Sequence, residues 1–460
     1  MMRWTRMGLA ALGLLASVAA GAGPVQVRDH RGLIDGNKPL VLSPVRASNA
    51  LAVTGEPVSF TATLDNQSSR LLKAVAVAIE LPEGWRVTPS RFDIAALTPY
   101  TQQAFRFTAA AGAAGHGFGH ITVTSPDLGG VAETWFPVVS CAPLPLWSAV
   151  HELSEKSVGQ LPEDSTLYVA TGSYILFFPK CGDCYGPGLV YLRRPDQWLR
   201  VATIPAMGHL CYRDLDADGH QPVPVEHWVL PTRFWITPNV PRRGDVLVFK
   251  EQWLDGKRRW WTAKAYFAPT ADDRVVKCTH MVWCTGAAGL LRYEGPMASV
   301  GDGTFGAANA GLIPPDGRPT TPGAALLKLA DPGRDGLMAV ETPFGGTLAM
   351  LWDPDQQWSA GHSRPYALLA APNDLRRQDN TFLSLLVPPF GLRQSAIDAF
   401  AATPLELPEG RFVYLRSELF VTAAGSLDEV AKVYHERFAP GGPGRALLPD
   451  ADVKTGQPDG

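Results

Sequence analysis

The sequence contains a short acidic motif with the spacing of a calcium loop. Asp214, Asp216 and Asp218 alternate, and Gly219 follows at a position where such a loop turns sharply. The three carboxylates repel one another unless a cation or solvent relieves the repulsion. A full EF-hand would need a carboxylate at the twelfth position, where Val225 stands. We therefore predict Ca²⁺ as the cofactor of a loop without EF-hand helices, the alternative being a solvated acidic turn.

A second constellation combines tryptophans with polar side chains between residues 352 and 380. Its members are Trp352, Trp358, His362, Arg364, Asn373 and Asn380. Tryptophan faces stack on sugar rings, while the polar side chains hydrogen-bond hydroxyl groups. The cluster therefore predicts a binding site for a polysaccharide or oligosaccharide. The alternative is an ordinary turn at Asp353-Pro354-Asp355 with both tryptophans in the core.

The same stretch supplies the candidate catalytic carboxylates. A glycoside hydrolase needs two carboxylates about 5 Å apart if it is retaining and about 6.5–9.5 Å apart if it is inverting. The candidates are Asp353, Asp355 and Asp379, with Glu341 as a further one. The motifs G-x-S-x-G, H-E-x-x-H and the Walker loop do not occur. We interpret His209 and His227, which flank apolar strands, as structural histidines rather than catalytic ones.

The six cysteines form an even set. They are Cys141, Cys181, Cys184, Cys211, Cys278 and Cys284. In an exported chain this number predicts disulfides. Cys278 and Cys284 cannot bridge each other, because they would lie about 20 Å apart along one strand. The alternative is a zinc site made by Cys181, Cys184, Cys278 and His280.

An aromatic run at 260–267 is a further candidate for a ligand groove. Trp260 and Tyr266 would share one face of a strand, and Trp261 and Phe267 would share the other. One face belongs to the core, so at most half of the set is exposed. We expect the run to serve mainly as core.

Composition and the first residues place these motifs in an exported globular protein. Hydrophobic residues make up 46% of the 460 and charged residues 18%, which excludes disorder as the main state. Arg3 and Arg6, followed by a short apolar run, predict a signal peptide over 1–22. Its removal would change the net charge from −3 to −5, because two arginines leave. We expect an extracytoplasmic (periplasmic or secreted) protein with no membrane anchor, no nucleic-acid partner and no organic cofactor.

Residues 40–140 predict a small antiparallel sandwich. Apolar residues alternate from Val58 to Leu64, and a second strand covers Ala74 to Leu81. Val53-Thr54-Gly55-Glu56, Leu81-Pro82-Glu83-Gly84-Trp85 and Phe105-Arg106-Phe107 together resemble the Ig-like domain associated with alpha-galactosidases. The resemblance implies a spacer beside a carbohydrate-active unit and fixes no activity.

Residues 150–424 predict a larger β-sandwich. Many short apolar runs follow one another, and Gly or Pro separates most of them. The matching residues of a second resemblance are Tyr293-Glu294-Gly295-Pro296, Leu337-Met338-Ala339-Val340, Trp352-Asp353-Pro354, Trp358, Ala371-Pro372-Asn373 and Asp379-Asn380. They are similar to the large sandwich of multidomain secreted proteins in which an (α/α)-toroid glycosidase-like domain follows. Here no toroid follows, so the resemblance implies no catalytic assignment.

The chain ends in one predicted helix and a polar tail. Ser426 to Glu429 form a capping box, and Leu427, Val430, Tyr434 and Phe438 recur at helical spacing, which predicts a helix over 425–439. Residues 440–460 are predicted to be a flexible tail. The fold class predicted is thus all-β: an Ig-like sandwich, a larger supersandwich-like sandwich and one C-terminal helix.

The predicted function is that of a secreted, carbohydrate-associated protein that binds or presents polysaccharide without catalysis. Two alternatives stay open. One is a glycoside hydrolase or polysaccharide lyase with its site on the large sandwich, and the other is a structural envelope protein.

Overall fold

The computed structural model describes residues 39–43, 45–49, 51–143, 157–161, 165–195, 197–215, 222–236, 246–301, 309–312, 326–330, 336–371, 380–388, 404–423, 425–438 and 441–445. The predicted signal peptide and most of the predicted tail lie outside these residues. Within them, no helix is long and apolar enough to cross a membrane.

Ten strands build the first sandwich. They are β1 (Leu40–Leu42), β2 (Arg46–Ala47), β3 (Ala52–Val53), β4 (Pro57–Asn66), β5 (Leu72–Glu80), β6 (Trp85–Thr88), β7 (Arg91–Leu97), β8 (Gln102–Ala111), β9 (Gly115–Thr124) and β10 (Ala132–Cys141). One sheet has the order β1-β4-β8-β6, with β2 also on β4, and the other has the order β3-β10-β9-β5-β7. Strict alternation along β4 buries Val58, Phe60, Ala62 and Leu64 between the sheets, as predicted.

The second sandwich uses the strands that follow. They are β11 (Ser157–Gln160), β12 (Leu167–Ala170), β13 (Tyr174–Phe178), β14 (Lys180–Cys181), β15 (Cys184–Tyr185), β16 (Gly188–Arg193), β17 (Trp198–Ile204), β18 (His209–Leu215), β19 (Pro222–Val229), β20 (Trp235–Ile236), β21 (Leu247–Leu254), β22 (Trp260–Pro269), β23 (Val275–Cys284), β24 (Ala288–Val300), β25 (Asn309–Leu312), β26 (Leu326–Ala330), β27 (Leu337–Glu341), β28 (Thr347–Leu351), β29 (Gln357–Ser359), β30 (His362–Ser363), β31 (Tyr366–Ala371), β32 (Thr381–Val387), β33 (Leu405–Leu407) and β34 (Val413–Thr422).

Two large sheets form this sandwich. The twelve-stranded sheet has the order β11-β12-β13-β16-β17-β24-β32-β31-β26, with β18 and β33 on β24 and β19 on β18. The eight-stranded sheet has the order β20-β21-β22-β23-β34-β28-β27-β25. The main hydrophobic core lies between them, so each sheet has a core face and an outer face. The all-β fold class with two sandwiches is confirmed.

Helix α1 (Leu427–Phe438) covers part of the outer face of the eight-stranded sheet, and a short 3₁₀-helix follows at Pro443–Arg445. The Glu429 amide donates to Ser426 Oγ (3.3 Å), the first half of the predicted capping box. The Glu429 carboxylate pairs with Arg274 (2.9 Å) instead of reaching back to the cap. Val430, with Tyr434 and Phe438, buries the apolar stripe of the helix.

The two sandwiches share a smaller core. Leu51, Val139 and Cys141 of the first sandwich pack with Ile175 and Phe177 of the second. Because these side chains are buried together, the two sandwiches are in direct contact and are not separated by solvent.

Candidate functional site

The predicted sugar site falls on a turn that follows β28. The Asp355 amide donates to Asp353 Oδ1 (3.0 Å), which closes an Asx turn, and the Arg364 amide donates to the Gln356 carbonyl (3.0 Å). The Gln356 side chain is bonded on both sides to the main chain of Arg416, on β34. These bonds hold the whole turn against the eight-stranded sheet.

The structure corrects the prediction that Trp352 and Trp358 stack on sugar. Each indole is 1% exposed and belongs to the main core. Trp358 Nε1 donates to the Ser363 carbonyl (3.0 Å), and its ring stacks on His362. Burial of these large apolar side chains stabilises the fold, and a buried indole cannot stack on a sugar, so both residues are structural.

The polar members of the predicted site are dispersed. Asp355 and Arg364 form an exposed ion pair (3.1 Å) at the tip of the turn. Asp353 lines a separate small cavity beside β34. Asn380, 2% exposed, directly precedes β32 in the other large sheet. Asn373 and Asp379 lie outside the described residues, so the pairing of Asp379 with another carboxylate stays a prediction.

Only the first aspartate of the predicted calcium loop belongs to the described chain. Asp214 Oδ1 pairs with Arg259, and Asp214 Oδ2 contacts His227 Nε2 (3.0 Å). Its charge is therefore already compensated by the Arg259 guanidinium. Within the described ranges no group of three His, Cys, Asp or Glu side chains could hold a metal. Asp216 and Asp218 lie outside these ranges, and calcium binding stays a prediction.

All six cysteines are buried and none of them forms a disulfide, so the predicted disulfides are not present in the structure. Cys181 and Cys184 lie opposite each other in the β14–β15 hairpin, and the Cys181 thiol donates to the Gly186 carbonyl (2.9 Å). Burial raises the pKa of both thiols well above the usual value. The four residues of the zinc alternative all lie in the described part of the chain, and no three His, Cys, Asp or Glu side chains there are grouped so as to hold a metal, which contradicts that alternative.

Exposed apolar side chains lie on the outer face of the eight-stranded sheet. Trp235, Leu254 and Trp260 are 42%, 48% and 44% exposed. Leu254 pairs directly with Trp260, and Trp235 pairs with Lys250. Residues that are directly opposite each other, or four apart on one strand, have side chains on the same face of the sheet. The two pairs Trp235–Lys250 and Leu254–Trp260 therefore lie on one face. We call this set, with Gln252 and Thr262 between its ends, the aromatic surface.

The aromatic surface is long and partly polar. Lys250 and Leu254 are four residues apart, so the two indoles are separated by about 13 Å along the strand direction. Gln252 lies between them, and its amide donates to Thr262 Oγ1 (3.0 Å). The aromatic run at 260–267 thus divides as expected: Trp261 is in the core, whereas Trp260 is not.

Two buried side chains, His209 and Glu294, and the half-buried Arg292 form a polar group on the outer face of the twelve-stranded sheet. His209 and Glu294 are directly opposite in the β18–β24 pair, and His209 Nδ1 lies 2.9 Å from Glu294 Oε2. Arg292 forms an ion pair with Glu294 Oε1, and Glu294 is completely buried. Leu210 and Tyr293, their chain neighbours, point to the main core. The side chains of His209, Arg292 and Glu294, named here the charged triad, therefore point the other way.

A β-bulge in β24 places an apolar side chain on the same face of the sheet as the charged triad. The pairing of β24 with β32 shifts between Glu294 and Met297, which marks a bulge. Residues three apart can then share a face, and Met297 packs there with Phe382. Gly295 has a φ of 153°, and a Cβ at this position would lie 3.2 Å from His280 Nδ1. The glycine allows the strand to bend at Glu294.

The charged triad is not predicted from the sequence, in which His209 is interpreted as structural and Glu294 enters only through a family resemblance. The available signal was Arg292-x-Glu294, two opposite charges at alternate positions of an otherwise apolar strand. Their histidine partner could not be identified, because the β18–β24 register is a long-range feature.

No protein-family model matches the chain, and no curated protein matches it. Solved structures match weakly. A galactose mutarotase-like protein from Clostridium acetobutylicum is 8% identical over 58% of this chain and 98% of its own, with a TM-score of 0.33. A protein of unknown function from Porphyromonas gingivalis is 11% identical over 54% and 92%, with a TM-score of 0.21.

Other matches involve Ig-like folds. The periplasmic chaperone SfaE is 12% identical over 35% of this chain and 98% of its own, with a TM-score of 0.18. The weakly matched neighbours are thus Ig-like or PapD-like and mutarotase-like β-sandwiches. Scores this low carry no argument about function.

Proposed function

We propose that this protein is an extracytoplasmic carbohydrate-binding protein and that its aromatic surface holds an extended polysaccharide. The observation that carries the proposal is the pair of exposed indoles, Trp235 and Trp260, on one face of the eight-stranded sheet. Exposed indoles cost free energy in water, and a ligand with flat apolar faces relieves that cost.

The polar residues between the indoles suit the same ligand. Gln252 and Thr262 supply amide and hydroxyl groups for sugar hydroxyls, and Lys250 adds a donor at the Trp235 end. The indole separation exceeds the length of one sugar ring, which favours an oligomer over a monosaccharide. The predicted signal peptide and the resemblance of residues 40–140 to alpha-galactosidase-associated domains support the same class of ligand.

Affinity gel electrophoresis with plant, algal and bacterial polysaccharides tests this proposal. We expect at least one polysaccharide to retard the protein, and Trp260→Ala to weaken the interaction about tenfold, equivalent to about 1.4 kcal/mol. Phe344→Ala is the matched control, because Phe344 is equally exposed (42%) but lies at the β27–β28 turn. Equal retardation of Trp260→Ala and the control, or no retardation by any polysaccharide, would overturn the proposal.

The charged triad favours a second candidate function, an acid–base enzyme acting on a saccharide. A histidine bonded to a buried carboxylate is held in one orientation and can exchange a proton with a substrate hydroxyl or carbon acid. Arg292 forms an ion pair with Glu294 and so compensates its negative charge. One carboxylate paired with a cation fits proton transfer, including lyase-type elimination, better than two-carboxylate hydrolysis.

Product analysis separates the two functions. If the charged triad is catalytic, polysaccharide that binds to the wild type is converted, and Glu294→Gln abolishes conversion while gel retardation persists. If retarded polysaccharide is recovered unchanged, the protein is a non-catalytic binder. A protein that neither retards nor converts any polysaccharide would favour the structural envelope role.

A further inference from the structure

The two indoles of the aromatic surface are held in different ways. Trp260 belongs to β22, a ten-residue strand that pairs with β21 on one side and with β23 on the other. Trp235 belongs to β20, which has two residues in the described part of the chain and forms the edge of the eight-stranded sheet. An edge strand of this length gains little from its one neighbour, so Trp235 depends on further support.

This support comes from β15, a strand outside the eight-stranded sheet. The Tyr185 amide donates to the Phe234 carbonyl (3.0 Å), and the Phe234 amide donates to the Tyr185 carbonyl (3.2 Å). Phe234 directly precedes Trp235 and is completely buried. The main chain after β15 lies against the Phe234 ring, since a Cβ at Gly186 would be 2.2 Å from Phe234 Cδ2. These contacts fix the main chain next to Trp235.

The segment before Trp235 thus lies between two strands. On the β21 side, the Arg233 amide donates to Glu251 Oε2 (2.9 Å). The Phe234 ring packs 5.3 Å from the ring of Phe249, which is also on β21. Loss of the β15 bonds would leave this segment attached to β21 alone.

The β14–β15 hairpin in turn rests on the first sandwich. At its tip Gly182 has a φ of 71°, and a Cβ there would lie 3.3 Å from the Ala114 carbonyl oxygen and from Gly115 Cα. Cys181, opposite Cys184 in the hairpin, is buried in the core that the two sandwiches share. A side chain at position 182 would push against the main chain of the first sandwich, so glycine permits this close approach.

The first sandwich also reaches the Trp235 segment from β9. Burial, and after it the positive charge of Arg233, lowers the pKa of His116 to about 4. The two groups must be close for this effect, because solvent screens charges at longer range. Arg233 lies two residues before Trp235, so His116 and the hairpin meet the same short segment.

We propose that the first sandwich positions Trp235 through the β14–β15 hairpin, so that both sandwiches belong to the polysaccharide-binding unit. Gly182 is then a positioning residue that touches no ligand itself. This inference rests on the proposed binding of polysaccharide to the aromatic surface, and it replaces the spacer role that the family resemblance implies. Trp260, held by β21 and β23, is independent of the first sandwich.

Hydrogen exchange measured by mass spectrometry tests the positioning without a ligand. Gly182→Asn suits the left-handed turn, which Asn tolerates, but places a side chain against Ala114. We expect the amides of Tyr185 and Phe234 to exchange about tenfold faster in this variant, because their mutual bonds open more often.

Two internal references accompany this measurement. The Trp260 amide donates to Thr285 Oγ1 (2.9 Å) and should exchange at an unchanged rate. Gly84→Asn is the matched control variant: Gly84 has a φ of 84°, and no atom of the described chain lies within 4 Å of a Cβ there. It should leave the exchange of Phe234 as in the wild type.

A double-mutant cycle connects the hairpin to ligand binding. In affinity gel electrophoresis, Gly182→Asn should weaken binding about fivefold in the wild type. It should have no further effect in Trp235→Ala, because the indole that it misplaces is absent. In Trp260→Ala the whole loss should persist, since that indole is held independently.

Unchanged exchange of Phe234 in Gly182→Asn would overturn the proposal, and so would an equal loss of binding in the wild type and in Trp235→Ala. Circular dichroism verifies folding, and Gly182→Ala, which adds the Cβ alone, should give the same changes at smaller size if Gly182→Asn does not fold. If exchange responds but no polysaccharide retards the wild type, the proposed function fails while the link between the first sandwich and Trp235 stands.

Discussion

The two sandwiches differ in what their interiors contain. The buried polar residues of the first sandwich, over its described residues, are uncharged: Ser43, Asn66, Ser125, Thr134 and Ser140. The second sandwich buries charged or titratable side chains on several strands and on α1. They are His209, Asp214, Glu251, Lys264, His280, Glu294, Glu418 and Arg437.

The first sandwich satisfies its polar groups by local bonds. Asn66 Nδ2 donates to the carbonyls of Arg70, Leu97 and Thr98 at 2.8–3.1 Å, which ties a loop to the end of β4. A neutral interior of this kind stabilises a fold and offers no chemistry.

Three of these side chains are held by partners from distant parts of the chain: Glu294 by His209, Asp214 by Arg259 and Glu418 by Arg437. A buried charge is costly, and it persists when pairing, or a function that needs it, compensates the cost. The difference teaches that the second sandwich is the place to look for function, with the first as its support. Four predictions sharpen or break this contrast.

The largest effect is expected at the buried pair between β34 and α1. Arg437→Met should lower the free energy of unfolding by about 3–5 kcal/mol, because Glu418 would stay buried without its ion-pair partner. Urea unfolding measures the change. The double variant with Glu418→Leu should recover most of the loss. Equal instability of the single and double variants would show that the pair itself is not the cause.

Glu251 should make the stability of the second sandwich fall as the pH rises from 4.5 to 8. Burial raises the pKa of Glu251 to about 8, against the favourable bond from the Arg233 amide (2.9 Å). Between pH 4.5 and 8 the folded state holds a proton that the unfolded state has lost. Stability should therefore fall with rising pH by about 1.4 kcal/mol per pH unit from this group.

Glu251→Gln should remove this slope, because the amide keeps the acceptor and cannot ionise. Urea unfolding at several values between pH 5 and pH 8 measures the difference between the variant and the wild type. Glu56→Gln, at an exposed position in the first sandwich, is the control and should leave the slope unchanged. Parallel profiles for all three proteins would contradict the assigned pKa.

A smaller effect of opposite sign is expected where the two sandwiches meet. Burial, with the charge of Arg233, lowers the pKa of His116 to about 4. His116 is then protonated near pH 6.5 in the unfolded state but only near pH 4 in the folded state. Stability is fully present above pH 6.5 and is lost as the pH falls through this window. His116→Asn should reduce the loss of stability measured by acid unfolding, and His435→Asn, at an exposed position of α1, is the control.

The smallest effect is expected at the surface of the first sandwich. Arg91 and Asp93 form an ion pair of 2.8 Å with side chains that are 65% and 69% exposed. Solvent screens such a pair, so Arg91→Ala should leave the urea midpoint unchanged. A clear loss of stability would show that the first sandwich also depends on charge pairing, and would weaken the contrast.

Residue pattern alone was sufficient for the elements with strong periodicity. The alternation at Val58–Leu64 predicted β4 and its buried face, and the spacing of Val430, Tyr434 and Phe438 predicted α1. These features are local, because a period of two or of 3.6 residues already defines the face that meets the core. Residue type was not sufficient for Trp352 and Trp358, since a tryptophan suits a core as well as a sugar-binding surface.

The sequence by itself determined the all-β class, the alternation of buried and exposed faces, and the capped C-terminal helix. Only the tertiary structure decided which charges meet. His209 lies 85 residues from Glu294, and Lys277 lies opposite Glu418 because β23 pairs with β34, more than a hundred residues later. Strand register between distant segments depends on the packing of the whole sandwich, and a single sequence contains no local signal for it.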